Sequence, residues 1–466
     1  MSSAPAKQLT DEEIEKGVSA WAVAWRQFKR DRVAVFALCS IIGLGGVALF
    51  SPLLANSKPI VCSYQDELHW PAFQDYLDEN FPIPFGLPGY MRKFDWWSPK
   101  YPEIERPQWQ TFPDWNVICE DIDGGADGWY LRPPVPFGYK ETSPAYKTLP
   151  GSSLGRVEIL AGPGEGETLD LAPKQEWKST WSQLALRDSS LDEAVPATGI
   201  AYIQSEGWVT ANFEAPGTKL TNLKGGEELE LGGLSVRFTR GPTHVMGTDD
   251  VGRDVMSRLI HGTVIAGSVG FVSVAIYVFI GIIIGALAGY FRGWVDLLIS
   301  RIIEIVICFP VFFLIIMIVG LWEPSIYVIM VALGLIRWTG VARLIRGEFL
   351  KIMSSDYVHA ARALGFSDAR VIFRHILPNA VAPVFVSASF GVAGAILVES
   401  SLSFLGFGVA PPTASWGEIL RQGQTYINEN LWHLVFAPGF CIFFTVTMFN
   451  LVGEGLRDAL DPKLRQ

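Results

Sequence analysis

The sequence predicts a mainly α-helical membrane protein with six transmembrane helices and one water-exposed domain of mixed, partly β structure between the first and second helices. Three observations lead to this fold class. Of the 466 residues, 49% are hydrophobic and only 18% are charged, which is too apolar for a soluble chain of this length. Several apolar runs are long enough to cross about 30 Å of hydrocarbon. The interval 56–243 contains no such run.

Residues 1–32 predict a cytoplasmic amphipathic segment. A capping-box pattern at 10–13 precedes a helical pattern that suits the inner membrane surface. The run 33–55 is predicted as transmembrane helix 1. We interpret it as an uncleaved anchor, because 32 polar and amphipathic residues precede it and it exceeds the usual ~7–15-residue core of a signal peptide. The apolar stripe of the preceding helix consists of Val18, Trp21, Trp25 and Phe28.

Five further apolar runs predict transmembrane helices 2 to 6. Predicted helix 4 is the weakest of them, because Arg337 cuts its apolar run short. Pro310 is expected to kink predicted helix 3. The interval 337–375 carries seven basic and three acidic residues, so the positive-inside rule places it in the cytoplasm with both basic termini. Because both termini are predicted on the same side of the membrane, the chain must cross the membrane an even number of times. The predicted helices are 263–291, 296–322, 324–341, 376–400 and 434–453, in a permease core of 244–466.

With this orientation, residues 56–243 form an extracytoplasmic inserted domain. It holds 16 basic and 27 acidic residues and nine of the sixteen tryptophans. A domain this acidic repels phosphate, which excludes nucleic acid as a partner. From 197 to 239, short alternating runs separated by glycine-rich turns predict antiparallel strands.

The five cysteines sort by compartment. Three fall in predicted membrane helices, and Cys62 and Cys119 are the only two in the insert. An oxidising compartment then allows one disulfide, Cys62–Cys119. No cysteine pair has the spacing of a metal site, so no metal site is predicted.

Catalytic patterns are weak. Residues 151–155 match G-x-S-x-G but are interpreted as a turn, because Pro150 precedes them and no strand does. The acidic cluster 120–128 lacks the ligand spacing of a calcium loop and is interpreted as a solvated turn. The chain contains no Gly-Lys dipeptide, so it has no P-loop of its own for ATP. No catalytic residue is predicted.

The interval 354–378 predicts two short helices joined at Gly365. Ser354 to Asp356 can cap the first helix, and Ser367 with Asp368 can start the second. A loop this short cannot bury apolar side chains in a core of its own, so we expect a protein partner to cover them. These apolar residues are Val358, Leu364, Val371 and Phe373.

Two motifs carry a resemblance to a known family. Residues 359–365, followed by 375–379, resemble the EAA coupling loop of bacterial ABC-importer permeases, although His359 stands where that family usually has an acidic residue. Residues 247–258 resemble the G-T-D-x-x-G-R-D signature of the C-type permease subunits of dipeptide, oligopeptide and nickel importers. Further similar stretches are 288–291, 399–406, 411–417 and 450–462. The resemblance covers 20–55 and 244–463, and the insert is far longer than is typical of the family.

The resemblance implies an ABC-importer permease fold that forms half of a translocation pathway in the bacterial cytoplasmic membrane. Its implied partners are a homologous B-type permease, two P-loop ATPase subunits that hold ATP and Mg²⁺, and an extracytoplasmic substrate-binding protein. The implied ATPase-coupling residues are Tyr357, His359, Ala360, Ala361, Gly365, Phe373, Leu377 and Pro378, and the implied signature residues are Gly247, Thr248, Asp249, Gly252, Arg253 and Asp254.

Two intramembrane acids, Glu304 and Glu399, are candidates for the pathway. A local pair of Arg301 with Glu304, and a capping role of Glu399 at the outer boundary, are the alternatives.

The leading functional prediction is a permease subunit of a peptide importer. A nickel or other small-solute importer is the alternative cargo class, and a membrane-tethered receptor acting through the insert is the alternative function. For the insert we expect a docking or gating platform for the binding protein.

Overall fold

A computed structural model shows the chain as two compact units. The helical unit comprises residues 1–49, 262–421 and 437–466, and the insert unit comprises residues 50–261 and 422–436. The residues that the structure describes are 20–64, 67–72, 115–123, 125, 127–141, 241–322, 325–409, 411–429 and 431–460, together with the strands between 152 and 240.

The helices are numbered here in chain order. They are α1 (Ala20–Phe28), α2 (Arg32–Leu49), α3 (Ser51–Leu54), α4 (Trp115–Asp123), α5 (Val255–Phe291), α6 (Gly293–Ile307), α7 (Val311–Leu321), α8 (Ile326–Ile352), α9 (Asp356–Ala363), α10 (Asp368–Arg370), α11 (Leu377–Ala380), α12 (Ala382–Phe404), α13 (Trp416–Thr425) and α14 (His433–Leu460). A π-helical turn, Val371–Ile376, and a 3₁₀ turn, Ile427–Glu429, lie among them.

Six membrane-spanning helices were predicted, and the described residues contain five, or six if the bent pair of helices counts as one span. In the described part of the chain, α2, α5, α8, α12 and α14 are each long and apolar enough to cross a membrane. The third predicted crossing is the pair α6 and α7, which is bent by 79°. The break falls at Pro310, which directly precedes α7 and has no N–H group to continue the hydrogen bonds of α6.

Helix α8 differs from the predicted transmembrane helix 4, which was placed at 324–341. It continues without interruption to Ile352, eleven residues beyond the predicted end, and Arg337 lies near its middle. Two glycines of α5 let α5 and α8 touch where the predicted helix was expected to end. A Cβ atom on Gly281 would lie 2.6 Å from Val341 Cβ, and one on Gly285 would lie 2.4 Å from the Ala342 carbonyl oxygen. Hydropathy does not register this packing.

Helix α1 is partly anchored on protein, whereas the sequence predicted a helix lying on the membrane surface. Phe28 is buried in a cluster with Ala34 of α2 and Val452 of α14. Gly455 of α14 permits the contact, since a Cβ atom there would lie 2.3 Å from Ala34 Cβ. Trp25, by contrast, is 48% exposed. Of the predicted stripe, Phe28 is therefore buried and Trp25 exposed, while Val18 and the side chain of Trp21 lie outside the described part of the chain.

The strands of the insert form three antiparallel sheets. The orders are β2-β1-β3, β10-β11-β4-β5 and β6-β7-β8-β9. The strands are β1 (Val61–Tyr64), β2 (Glu67–His69), β3 (Gly128–Leu131), β4 (Ser152–Ala161), β5 (Thr168–Leu171), β6 (Glu176–Trp177), β7 (Gly199–Ile203), β8 (Trp208–Phe213), β9 (Leu223–Lys224), β10 (Glu228–Leu231) and β11 (Leu234–His244).

Two local expectations for the insert were wrong. Residues 152–155, part of the interval expected to be a turn, lie in strand β4, which is paired on one side with β11 and on the other with β5. The acidic residues 120–123 lie in α4 and not in a turn. In both cases non-local pairing or packing decides the conformation. The described residues contain no group of three or more potential metal ligands.

Candidate functional site

The predicted coupling loop lies in the helical unit and begins with α9. The helix ends at Ala363, and Gly365 then adopts φ +75°, a conformation that side chains with a Cβ atom disfavour. The Gly365 N–H donates to the Arg362 carbonyl oxygen at 2.9 Å. The second helix is short, since only α10 is α-helical before the π-helical turn. Ser355 precedes α9 with extended backbone, but its side chain makes no capping hydrogen bond.

The loop has a buried side and an exposed apolar side. Val358 and Val371, expected to be exposed, are completely buried. Leu364 and Phe373 are 73% and 68% exposed, and Tyr357 is 45% exposed. Of the other predicted coupling residues, Ala361 is buried and Leu377 half-buried, while His359, Ala360, Gly365 and Pro378 are exposed.

Tyr290, at the end of α5, anchors this loop. Its hydroxyl donates to the Asp368 carboxylate, and the Arg362 guanidinium lies over its ring at 4.9 Å from the centroid. Asn379 Nδ2 is 3.4 Å from the Tyr357 hydroxyl. The exposed apolar side chains are therefore carried on a base fixed to a long helix.

The signature residues in the insert unit form a buried polar turn around Asp249. Asp249 Oδ1 accepts hydrogen bonds from the backbone N–H groups of Val251 at 3.0 Å and Arg253 at 2.8 Å. Asp249 Oδ2 accepts from Arg253 Nε at 2.7 Å and from Arg258 Nη1. Gly247 and Gly252 have φ values of +71° and +87°, which the tight turn requires.

Asp254 attaches this turn to the start of α5. Its Oδ1 accepts from the Ser257 N–H at 2.7 Å, as a helix N-cap does. Its Oδ2 lies 2.8 Å from His244 Nδ1. Thr248, the remaining signature residue, has no exposed surface. The six predicted signature residues are therefore all buried and build a structural element.

Residues 133–141, called here the strap, pack on the histidines that flank the signature. The Phe137 ring stacks on His244 with centroids 3.9 Å apart, and the Tyr139 ring stacks on His261 with centroids 4.1 Å apart. Ser57 donates a hydrogen bond to Glu141 at the end of the strap. Part of the insert is therefore attached directly to the signature turn.

The two intramembrane acids have different surroundings. Glu304 accepts a 2.6 Å hydrogen bond from Arg301, and both side chains are exposed, which matches the local-pair alternative. Glu399 is buried and accepts hydrogen bonds from Ser403 Oγ at 2.7 Å and from Ser400 Oγ at 3.4 Å. Its carboxylate is therefore held by serines of its own helix, α12.

Cys62 and Cys119 are both buried near the small cluster that contains Trp115 and Ile118. Burial raises the pKa of each thiol to about 11. The structure has both as free thiols, so it does not contain the predicted disulfide, and that pairing stays a prediction.

Sequence profiles place the chain among known proteins. The profile of the family described as binding-protein-dependent transport system inner membrane component matches residues 281–466, and that of the N-terminal TM domain of oligopeptide transport permease C matches residues 19–78. The chain is 40% identical to a dipeptide transport system permease protein of Alkalihalophilus pseudofirmus, over 48% of this chain and 75% of the relative. The chain belongs to this family of permeases. It is also 41% identical to an oligopeptide transport system permease protein of Haemophilus influenzae, over 51% of this permease and 76% of the relative.

One relative extends along the insert as well. A peptidoglycan transport system permease protein of Agrobacterium fabrum is 29% identical over 445 residues, which are 94% of this permease and 92% of the relative. The family motifs recognised in the sequence do not cover the insert. This match shows that another permease of similar length exists. Among solved structures, the methionine ABC transporter MetNI in an inward-facing form matches 44% of this permease and 97% of its own chain, with 19% identity and a TM-score of 0.38.

Family membership makes this permease a transport subunit of an ABC importer and not its ATP-hydrolysing subunit. Several residues that build its sites were missed from the sequence. Arg258 and Gln422, whose side chains meet at 3.0 Å, are 164 positions apart, so no local pattern joins them. Arg337 was missed because its charge was taken as the end of a helix.

Proposed function

We propose that this permease is the C-type subunit of an ATP-driven peptide importer in a bacterial inner membrane. It forms half of the translocation pathway, and a homologous B-type permease forms the other half. The permease binds no cofactor, since ATP and Mg²⁺ belong to two P-loop ATPase subunits. The observation that carries the proposal is the exposed apolar surface of Tyr357, Leu364 and Phe373 on an anchored loop, together with family membership.

The coupling surface supports docking of an ATPase. Apolar side chains that stay exposed on a rigid base indicate a protein interface. Three arginines, Arg362, Arg370 and Arg374, are exposed among them and favour an acidic rim on the partner. His359 occupies the position at which the family usually has an acid, so we propose that it contributes polar contact without a buried ion pair.

Peptides are the proposed cargo because relatives about 40% identical are named as dipeptide and oligopeptide permeases. Fragments of peptidoglycan are a second candidate, favoured by the relative that matches along both the core and the insert. Uptake of stem peptides from peptidoglycan, compared with ordinary peptides of equal length, decides between the two.

We place residues 56–243 outside the membrane, with both termini in the cytoplasm, from the positive-inside rule. Cysteine-accessibility labelling checks this orientation. A cysteine at Trp129, which is 55% exposed, should react with an impermeant maleimide in intact spheroplasts, and a cysteine at Leu364 should react only after lysis.

For the insert we propose a docking platform for the substrate-binding protein. The support is its acidity, its tryptophans and the attachment of the strap to the signature turn. Acidic surfaces favour a basic partner face, and aromatic residues are enriched at interfaces.

The test of the proposed function is reconstitution. The permease, its permease partner, the ATPases and the binding protein should together take up labelled peptide with ATP, and omission of the ATPases should abolish uptake. The permease alone should hydrolyse no ATP. A permease that purifies without ATPases and binds ligand through its insert would support the receptor alternative and contradict the importer.

A further inference from the structure

Arg337 places a permanent positive charge in the middle of a transmembrane helix. It lies eleven residues after Ile326, the first residue of α8, which is about 16 Å along the helix axis at the usual rise per residue. That depth is close to the centre of a hydrocarbon layer about 30 Å thick. A guanidinium stays charged under physiological conditions. Charged residues at this depth are costly, and they usually mark a pathway for substrate or ions.

Two neighbouring helices shape the surroundings of this guanidinium. A Cβ atom on Gly394 of α12 would lie 2.9 Å from Arg337 Nη1, so the guanidinium lies against bare helix backbone. One turn away on the same face, a Cβ atom on Gly391 would lie 1.6 Å from the Tyr277 hydroxyl oxygen of α5. Because Gly391 and Gly394 are three residues apart on one helix face, the guanidinium and the hydroxyl lie against neighbouring turns of α12. Three helices thus bring a guanidinium and a phenol together at mid-depth.

No anion within the described part of the chain meets this charge. Arg337 has neither a hydrogen bond nor an ion pair there, and three acids of the membrane helices have other partners. Asp296 binds Arg346, Glu304 binds Arg301, and Glu399 is held by serines. The Tyr277 hydroxyl likewise has no hydrogen-bond partner among the described residues. Within those residues, five N–H donors and one hydroxyl therefore have no counter-charge.

We propose that Arg337, assisted by Tyr277, binds the carboxylate of the transported peptide during its passage. This inference rests on the proposed function, since it requires peptide cargo. A planar guanidinium fork matches the two oxygens of a carboxylate, and charge-assisted hydrogen bonds of this kind are strong. Every unmodified peptide carries one such group at its C-terminus, so the site would serve cargo of varied sequence. The partly exposed side chain of Arg337 leaves the fork accessible.

The test uses the complete importer in proteoliposomes, with one binding protein throughout, and two labelled tripeptides that differ only in a free or an amidated C-terminus. Arg337→Gln should lower uptake of the free acid roughly tenfold and change uptake of the amide by less than about twofold. Tyr277→Phe should lower uptake of the acid by roughly threefold. Since the binding protein is the same in every arm, its own preference cancels from the ratio of variant to parent.

Arg343→Gln is the matched control, because Arg343 is an exposed arginine of the same helix. This variant should leave the uptake of both peptides unchanged. If Arg337→Gln does not assemble, Arg337→Lys keeps the charge without the fork and should still reduce the preference for the acid. Equal losses for both peptides would overturn the inference and point to a structural role or to a carboxylate of the partner permease. Unchanged uptake would also overturn it. A parent importer that takes up neither peptide would instead overturn the proposed function.

Discussion

At the scale of single residues, two buried carboxylates of the signature turn are each shared by several groups. Asp249 is the clearest case in the described part of the chain, because its two oxygens receive four donors. Asp254 joins a helix N-terminus to His244 in the same way. A buried charge that loses such partners is strongly destabilising, although the intact pair itself contributes little to stability.

Replacing Asp249 by alanine should therefore destabilise the insert unit. The guanidinium groups of Arg253 and Arg258 would stay buried without their carboxylate, which costs roughly 3–5 kcal/mol. Glu304→Ala, which removes an exposed pair, should cost at most about 1 kcal/mol. Denaturant titration in detergent, followed by tryptophan fluorescence, measures both free energies of unfolding. Equal values for the two variants would contradict the buried role of Asp249.

Cys62 and Cys119 give a second prediction at this scale. Both lie in the proposed external domain, and closing the loop of 56 intervening residues between them would stabilise it by roughly 4 kcal/mol in the chain-entropy model. With their pKa raised to about 11 by burial, few thiolates exist near pH 7 after folding, so the bond must form before the core closes. Peptide mapping of the non-reduced protein should find the two cysteines linked. Two alkylated thiols in the denatured, unreduced chain would disprove the pairing.

At the scale of elements, two helix ends depend on glycine in the left-handed region. Gly365 follows α9 with φ +75°, and Gly406 follows α12 with φ +86°. Neither position has an atom within 4 Å of an added Cβ. Alanine would therefore be strained by the backbone alone, at about 1–2 kcal/mol in each case.

These two glycines form a matched pair for testing the coupling loop. Gly365→Ala should reduce ATP-driven uptake severalfold, and Gly365→Pro should reduce it about tenfold or more, because proline requires φ near −65° and lacks the N–H that bonds to Arg362. Gly406→Ala, with similar strain but outside the loop, should retain most uptake. Binding-protein-stimulated ATP hydrolysis and uptake are measured together. Loss of uptake in Gly406→Ala alone would contradict the assignment of the coupling loop.

At the scale of the whole molecule, the sequence predicted the features that hydrophobic periodicity and local composition determine. The long apolar helices, the break at Pro310 and the strands after Gly199 follow from such local signals. The strand β4 does not, because it is defined by pairing with β11, which lies more than seventy positions later. The burial of Val358 and Val371 also depends on packing that a loop sequence does not reveal. Arg337 was misinterpreted because a single charge in an apolar run can mark either the end of a transmembrane helix or a functional group inside the membrane.

Removing about half of the insert tests its role in the complete importer. Residues 151–240, replaced by a short Gly/Ser linker, include the third sheet and all of the second sheet except the end of β11, but not the strap or His244. The variant should keep its helices and its ATPase partners, while uptake at limiting binding-protein concentration falls roughly tenfold. Uptake at saturating concentration should recover in part, because only docking is weakened. Uptake equal to the parent at every concentration would show that these sheets are dispensable for transport.

The contact of α1 and α2 with α14 has a consequence for biosynthesis. Few residues of α2 are buried, whereas most of α8 is buried, and the buried residues of α2 share a cluster with α14, which lies far later in the chain. Because a chain is synthesised from its N-terminus, α2 has no contact with α14 until α14 has been made. The surface against which Phe28 packs is complete only after Gly455 has been synthesised. A chain truncated before Gly455 would therefore leave α1 and α2 without the contact that packs them against α14.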